Sequence, residues 1–430
     1  MKLAVIADDL TGANDTGVQF AKQGLKTTVL FSDTQLQRAH MSEDVIVLNS
    51  DSRAYPFGKA YDVVFNLSTQ LNKLNVSNVF KKVDSTMRGH IGAEIDAVMD
   101  VFKFKTSFVV PAFPKSNRMT MNGNHYVNGV LLGETEIAHD PVSPVKISYL
   151  PTLLQEQSKR KVELISISDV RKGKRHLSEK MNTLSSSTTP KIIIVDATTD
   201  EELQTIVEAA NMLHENFLWV GSAGIASHLF DTGFREEPLQ KNQDGERLPV
   251  LVVAGSVKSI THRQIQELKE KHDVEEIVIS PEEFFFEDRR KLEIERIVKA
   301  GQAILEKSDL VISTNPGQEA INKVKGLQLS GGLSNFDVGT TIAVAMGEIA
   351  GQLIESKRIS GAILTGGDIA GATCKVLKGE GIRVIGEVEA GIPYGKLFGG
   401  TFDGLPIVTK AGAFGTVESL AKALQRISNY

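Results

Sequence analysis

Residues 2–31 read KLAVIADDLTGANDTGVQFAKQGLKTTVLF. An apolar run over 2–7 stops at Asp8, and the polar turn DDLTGANDTG follows. Helical spacing then covers 18–22, Gly24 ends it, and residues 26–31 are apolar and β-branched. This order of strand, loop, helix and strand opens a parallel sheet. The alternation continues, with strands expected at 45–49, 79–83, 107–111, 191–196 and 217–221. Between 112 and 150 the chain is rich in Pro, Asn and Gly yet holds apolar pairs and aromatics, which predicts an ordered, functional loop. Residues 234–248, FREEPLQKNQDGERL, are polar and aperiodic. Beyond them a strand restarts at 249–254, a helix follows at 259–272, and further strands are expected at 276–279, 310–314, 361–365, 384–388 and 406–409. The fold class is therefore α/β, as two α/β domains with mainly parallel sheets and an inter-domain cleft. The expected boundaries are 1–235, a linker at 236–248, and 249–430.

The 430 residues carry 48 Lys and Arg against 53 Asp and Glu, a net charge of −5. Hydrophobic residues at 41% and charged residues at 23% exclude global disorder. The mild acidity argues against a nucleic-acid partner. A lone cysteine, Cys374, excludes an intramolecular disulfide and reads as a small helix residue. Its company suits a reducing compartment. The opening apolar stretch is too short for a signal-peptide core, and no stretch reaches the ~18 apolar residues of a membrane span. The expectation is a cytoplasmic protein with no membrane partner.

Three polar turns follow expected strands in the first half. Asp8, Asp9, Thr11, Gly12, Asn14 and Asp15 place three acids in eight positions. A single acid would serve as an N-cap, whereas a cluster at a strand's carboxyl end can bind substrate hydroxyls or a metal. Asn49, Ser50, Asp51, Ser52 and Arg53 follow the 45–49 strand, and Arg53 can grip a carboxylate through two N–H groups. Lys81, Lys82, Val83, Asp84, Ser85, Thr86, Met87 and Arg88 join cations, a carboxylate and hydroxyls, with a helix expected to begin near Ser85. In a parallel sheet these turns share one edge and form a polar pocket suited to a small polyhydroxylated acid.

The second half is glycine-rich, with 23 of the 37 glycines in its last 183 residues. Ala254, Gly255 and Ser256 lie between a strand and a helix, as do Thr365, Gly366, Gly367 and Asp368, and Lys410, Ala411, Gly412 and Ala413. Such turns cradle phosphates through backbone N–H groups. The chain has neither GxxxxGK[ST] nor a GxGxxG after a strand, which disfavours a Walker-type NTPase and a dinucleotide enzyme. Gly331, Gly332, Leu333, Ser334 and Asn335 form one more turn, before an apolar helix at 338–354. The histidines do not cluster at metal spacing, so no structural zinc is expected. His125 and His139 fall in the 112–150 loop, where a solvent-facing or hydrogen-bonding role is the default. Ser222 in VGSAG lacks the flanking glycine of a nucleophile elbow.

Taken together, IADDLTGANDTG (6–17), KKVDSTMRGHIG (81–92), VVPAFPKSNRMTMNGNHYVNG (109–129), DPVSPV (140–145), WVGSAGIASHL (219–229), VVAGS (252–256), LTGGDIAGAT (364–373) and KAGAFG (410–415) resemble the four-carbon acid sugar kinase family. The resemblance spans nearly the whole chain, and NDTGVQ (14–19) is most similar to the branch acting on D-threonate. It implies a sugar-acid-binding domain at 1–235, a nucleotide-binding domain at 249–430, and ATP-dependent phosphorylation of the C4 hydroxyl. The substrate residues it implies are Asp9, Arg53, Lys82, Val83, Asp84 and Ser85. It does not settle the catalytic base; of Asp9 and Asp84, Asp84 is the preferred proton acceptor. For ATP it implies Ser256, Thr365, Gly366, Gly367, Asp368 and Gly412, with Mg²⁺ as the accompanying ion and no protein residue assigned to it. The partners are then a small sugar acid and ATP, and a homodimer is left open. D-Erythronate or a 3-oxo acid is the alternative substrate within that class, and a non-catalytic sugar-acid sensor the alternative outside it.

Overall fold

In a computed structural model, residues 1–31, 36, 39, 42–140, 142–186, 189–230, 247–256, 258–314, 317–410, 412 and 414–428 are described. Of the linker expected at 236–248, residues 236–246 lie outside them. The chain divides into two units, Met1–Arg235 and Glu236–Tyr430.

Among its described residues the first unit holds β1 Leu3–Ala7, β2 Thr27–Leu30, β3 Val45–Asn49, β4 Val79–Lys82, β5 Thr106–Val110, β6 Arg118–Met121, β7 Asn124–Val127, β8 Val130–Leu131, β9 Lys161–Ile165, β10 Lys191–Val195 and β11 Leu218–Gly221. The main sheet runs β2-β3-β1-β4-β11-β5-β10-β9, and every pairing in it is parallel. Its central strands are buried on both faces, which is why LAVIA, TSFVV and KIIIV read as continuous apolar runs rather than alternating ones. From β1 the chain goes to β2 and β3 on one side, then crosses to β4 on the other. That reversal beside β1 is a topological switch point, where ligands bind outside the carboxyl ends of the strands.

The 112–150 segment differs from the expected loop. It folds as an antiparallel sheet β6-β7-β8 followed by single 3₁₀ turns. Asn122–Gly123 and Asn128–Gly129 adopt positive φ (51° and 76°, 53° and 81°) at the two hairpin turns, as two-residue primed turns require. The helix expected near Ser85 begins instead at Ile91 and runs to Phe102. Met87 (φ 60°) and Gly89 (φ 91°) sit in left-handed backbone that a helix cannot accommodate.

The second unit holds β12 Val250–Ala254, β13 Val274–Ile279, β14 Asp309–Thr314, β15 Gly361–Thr365, β16 Gly381–Glu389, β17 Ile392–Phe398 and β18 Pro406–Lys410. Their order is β13-β14-β12-β15-β18-β17-β16. It is parallel through β18, and β17 and β16 then pair antiparallel. The same reversal recurs, with β13 and β14 on one side of β12 and β15 on the other. The core under β12 and β15 takes Val250, Val252, Ile363, Leu420 and Leu424. No helix among the described residues is long and apolar enough to cross a membrane.

Candidate active site

Register brings the three turns of the first unit together. Ala7, the last residue of β1, pairs with Asn49 of β3 and with Lys82 of β4. The Asp8–Asp9 turn, the 50–53 turn and the 83–90 loop therefore leave the sheet at one level. Asp9 N-caps the helix Leu10–Lys22 by accepting the Gly12 N–H at 2.9 Å, so the capping and site readings hold at once. Gly12 is needed there, since a Cβ would come within 2.6 Å of both Asp9 Oδ1 and Lys82 Nζ.

Arg53 is placed differently from expectation. Its Nη1 and Nη2 already grip Asp9 as a fork, at 2.8 and 2.7 Å, and its Nε donates to Asp8 at 2.7 Å. The two-pronged face that sequence reasoning reserved for a ligand carboxylate thus belongs to Asp9. Lys82 is buried, donates to the Val83 carbonyl at 2.7 Å, and pairs with no carboxylate among the described residues. Beneath it the fully buried Lys81 meets Glu94 at 2.7 Å and the carbonyls of Ile6 and Lys82. Val83 contributes backbone only, and both its groups are engaged, the N–H with Gly221 and the carbonyl with Lys82.

Asp84 accepts from the Thr86 hydroxyl and from Arg88 Nε, each at 2.5 Å. Burial would raise its pKa, but Arg53 and Arg88 outweigh that and hold the carboxyl well below the usual range. Burial likewise opposes ionisation of Asp8, and Arg53 and Lys82 overcome it. Asp9 goes the other way: burial, with the Asp8 charge beside it, raises its pKa despite Arg53. Neighbouring carboxyls are thus driven apart in proton affinity, the pattern that separates acceptor roles in a site.

Several contributors lie outside the six substrate residues implied from sequence. Asp8 anchors Arg53, Arg88 anchors Asp84, and Asp140 approaches Arg88 at 3.4 Å. Ser143 Oγ donates to the Arg53 carbonyl at 3.1 Å, and His125 Nε2 lies 2.8 Å from the Ser85 carbonyl. Asp140 and Ser143 sit within the DPVSPV motif, a legible signal, whereas their contacts depend on folding. Ser222 caps the short helix Ala223–Ala226 by accepting the Gly224 N–H at 3.1 Å.

The second unit builds an edge by the same registration. Ala254 pairs with Thr365, and Thr365 with Lys410, so the turns at Gly255–Ser256, Gly366–Asp368 and Gly412 start at one level. The helix Gly367–Val376 begins without a side-chain cap, with Gly366 at φ 108°. Its first N–H groups are open to an anion. Asp368 is exposed in that first turn. The Thr365 hydroxyl is buried with no hydrogen-bond partner among the described residues. Gly412 lies against Ser256, where a Cβ would meet Ser256 Oγ at 2.5 Å. Burial lowers Lys410 to about 8. A buried hydroxyl without a partner, an uncapped helix start and glycines that keep the approach clear fit a phosphate chain. The Gly331–Asn335 turn is a helix cap instead: Ser334 and Asp337 cap each other at the start of Asn335–Ser356. Cys374 is buried in the Gly367–Val376 helix, and burial pushes its thiol up to about 12, which makes it unreactive. Among the described residues no group of three or more His, Cys, Asp or Glu could hold a metal.

Comparison with known proteins divides the chain the same way. A sugar-binding N-terminal domain matches residues 3–229, and a nucleotide-binding C-terminal domain matches 251–420. A D-threonate kinase of Salmonella typhimurium is 37% identical over 99% of this chain and 98% of its own length. A D-erythronate kinase of Heliobacterium modesticaldum is 30% identical over 99% and 98%. A 3-oxo-tetronate kinase of Brucella melitensis is 26% identical over 100% and 96%. Among solved structures, a Salmonella typhimurium LT2 protein superposes with a TM-score of 0.81 at 20% identity, over 99% of each chain.

Proposed function

The chain belongs to the four-carbon acid sugar kinase family and is an ATP-dependent acid sugar kinase, and on that premise we propose that it phosphorylates the C4 hydroxyl of D-threonate to give 4-phospho-D-threonate. In this reading the first unit, 1–235, takes the sugar acid and the second, 249–430, takes ATP.

The observation that carries the reading is the edge beside β1. It sets one buried ammonium, Lys82, which pairs with no carboxylate among the described residues, beside three carboxylates that do have partners. An acid needs a cation, and Lys82 supplies it. Arg53 orients Asp9 and adds its remaining N–H groups. Asp9 and Asp84 accept hydrogen bonds from the substrate hydroxyls, and the Ser85 hydroxyl is a further donor. Asp84 receives the attacking hydroxyl as a hydrogen-bond acceptor. Its strongly ionised state suits orientation and charge, which dominate phosphoryl transfer, more than full proton removal. Val83 supplies the turn that aims Lys82 and Asp84.

On the nucleotide side, the N–H groups of Gly367 and Asp368, with the hydroxyls of Thr365 and Ser256, hold the phosphates; the Gly366 N–H goes to the Lys410 carbonyl at 2.7 Å, so Gly366 serves through its positive φ, and Gly412 leaves room for the phosphates. Mg²⁺ would neutralise phosphate charge, arriving with ATP and retaining most of its water, as this ion commonly does. With one cysteine and no disulfide, the reading sets the enzyme in the cytoplasm.

The test is ADP release with MgATP across D-threonate, L-threonate, D-erythronate and L-erythronate. Strong preference for D-threonate is the expected result. Preference for D-erythronate would keep the kinase and replace the substrate, in line with the 30% identical relative. Turnover on none of the four would remove these acids as substrates.

A further inference from the structure

We propose that His125 is a positioning residue for phosphoryl transfer, holding the Asp84–Thr86 loop at the substrate edge through a hydrogen bond from its Nε2 to the Ser85 carbonyl. The role rests on the kinase reading of that edge. The loop from Val83 to His90 needs such a hold. It makes no helix, and it places Met87 and Gly89 in left-handed backbone. Strained backbone persists only where its surroundings over-determine it. Asp84 secures one side through Thr86, Arg88 and the Met87 N–H. On the other side the Ser85 carbonyl finds its partner, among the described residues, in the His125 ring at 2.8 Å.

His125 is suited to this by its setting in β7. The ring is fully buried and takes no direct part in binding. Its Nδ1 lies 3.0 Å from Thr120 Oγ1, and its own N–H donates to the Ser148 carbonyl. Thr120 in turn exchanges both backbone hydrogen bonds with Ala197, just past the end of β10. The ring is therefore mounted on the main sheet and on the hairpin sheet together. A carbonyl can only accept, so Nε2 carries the hydrogen and Nδ1 accepts from the Thr120 hydroxyl. Burial brings the imidazole down to about 4, which keeps it neutral in this tautomer at neutral pH. Arg118 and Asp84 are the charged groups whose fields reach it, and they oppose each other. Asp140 on Arg88 and Ser143 on the Arg53 carbonyl extend the same bracing from the 112–150 segment to the neighbouring loops.

The experiment compares the full-length wild type with His125→Leu and His125→Gln in steady-state kinetics against both substrates, with a thermal melt of each. Leucine removes the donor, and glutamine restores an N–H at a similar reach. His125→Leu should lower kcat/KM for the sugar acid about tenfold or more while the KM for ATP stays within about twofold, the scale of one buried hydrogen bond. His125→Gln should recover most of the loss. Unchanged acid kinetics in His125→Leu would overturn the proposal. So would a glutamine variant no better than leucine, or a parallel loss against both substrates that follows the melting temperature. A wild type inactive on every acid tested would remove those acids as substrates and the role of His125 in their phosphorylation with them, whereas in an active wild type the variants judge His125 alone.

Discussion

At Arg53 one guanidinium answers two carboxylates, and only 18% of its side chain is exposed. Removing it strands Asp8 and Asp9 beside each other without a paired cation, leaving the field of Lys82 to offset their charge. Arg53→Ala should therefore cost about 3–5 kcal/mol of stability, the usual result of breaking one side of a buried ion pair. It should also raise the KM for the acid. Urea denaturation and steady-state kinetics would read the two effects, and an unchanged KM would take Arg53 out of substrate binding. Asp84→Asn keeps the shape of the side chain and removes its charge. Turnover should fall roughly 10²-fold or more, as when a preorganised charge is deleted from a reacting centre, while calorimetry still detects ATP binding. Near-normal turnover would excuse Asp84. Asp9→Asn should act mainly on KM, because Asp9 already spends both oxygens on Arg53.

Among the elements, the two strand edges make separable expectations. Gly412→Ala pushes a methyl against Ser256 on the nucleotide side, and Gly12→Ala pushes one between Asp9 and Lys82 on the acid side. Overpacking of this kind costs about 1–3 kcal/mol, so each should raise one KM roughly tenfold and leave the other near its wild-type value. If Gly412→Ala weakened the acid instead of ATP, the nucleotide assignment of that turn would fall. The elements supporting these edges were legible to very different degrees. Buried parallel strands declare themselves as unbroken Val and Ile runs, so β1, β3, β5, β10, β12 and β15 were readable. β9, KVELI, sits at a sheet edge with charged residues in it, and β17, IPYGKLF, carries Pro and Gly, so neither looked like a strand. The β6-β7-β8 sheet was readable from its two Asn-Gly pairs, but the proline and glycine content around them pointed to a loop. Ser85 and Thr86 look like helix caps, but the left-handed backbone at Met87 and Gly89, the bonds of Thr86 and Arg88 to Asp84, and the distant His125 hold that segment out of a helix. The turns bearing Asp9, Arg53, Lys82 and Asp84 were visible because each follows an apolar run. The grip of Asp9 on Arg53 was not, since it depends on which strand lies beside β1.

For the molecule as a whole, acid should act in two stages. His125 falls from 6.5 to about 4 on folding because burial disfavours its charge. The unfolded chain thus takes up the proton first, and stability is full above pH 6.5 and lost on descent to about pH 4. That loss amounts to about 3 kcal/mol when complete. Asp100 and Glu389 are each held at about 2, where burial is outweighed by Lys159 and Tyr61 in the first case and by Lys422 and Ser419 in the second. Their contribution persists above their ordinary values and disappears as pH falls from about 4 toward 2. Glu94 and Asp196, raised by burial, act with the opposite sign and soften the descent. Melting temperatures from pH 8 to 3 should show both stages, and His125→Gln should flatten the first. A wild-type curve level between pH 6.5 and 4.5 would contradict a buried neutral His125. The single tryptophan and the single cysteine have a practical use of their own. Trp219 packs against Phe108 and Phe217 in the first unit, and Cys374 is sealed within the second. The unmodified protein therefore carries one indole fluorophore and one latent thiol, each private to a different half. Emission on unfolding and the rate of labelling by a thiol reagent would time the opening of the halves independently, and ATP should slow the second clock more than the first.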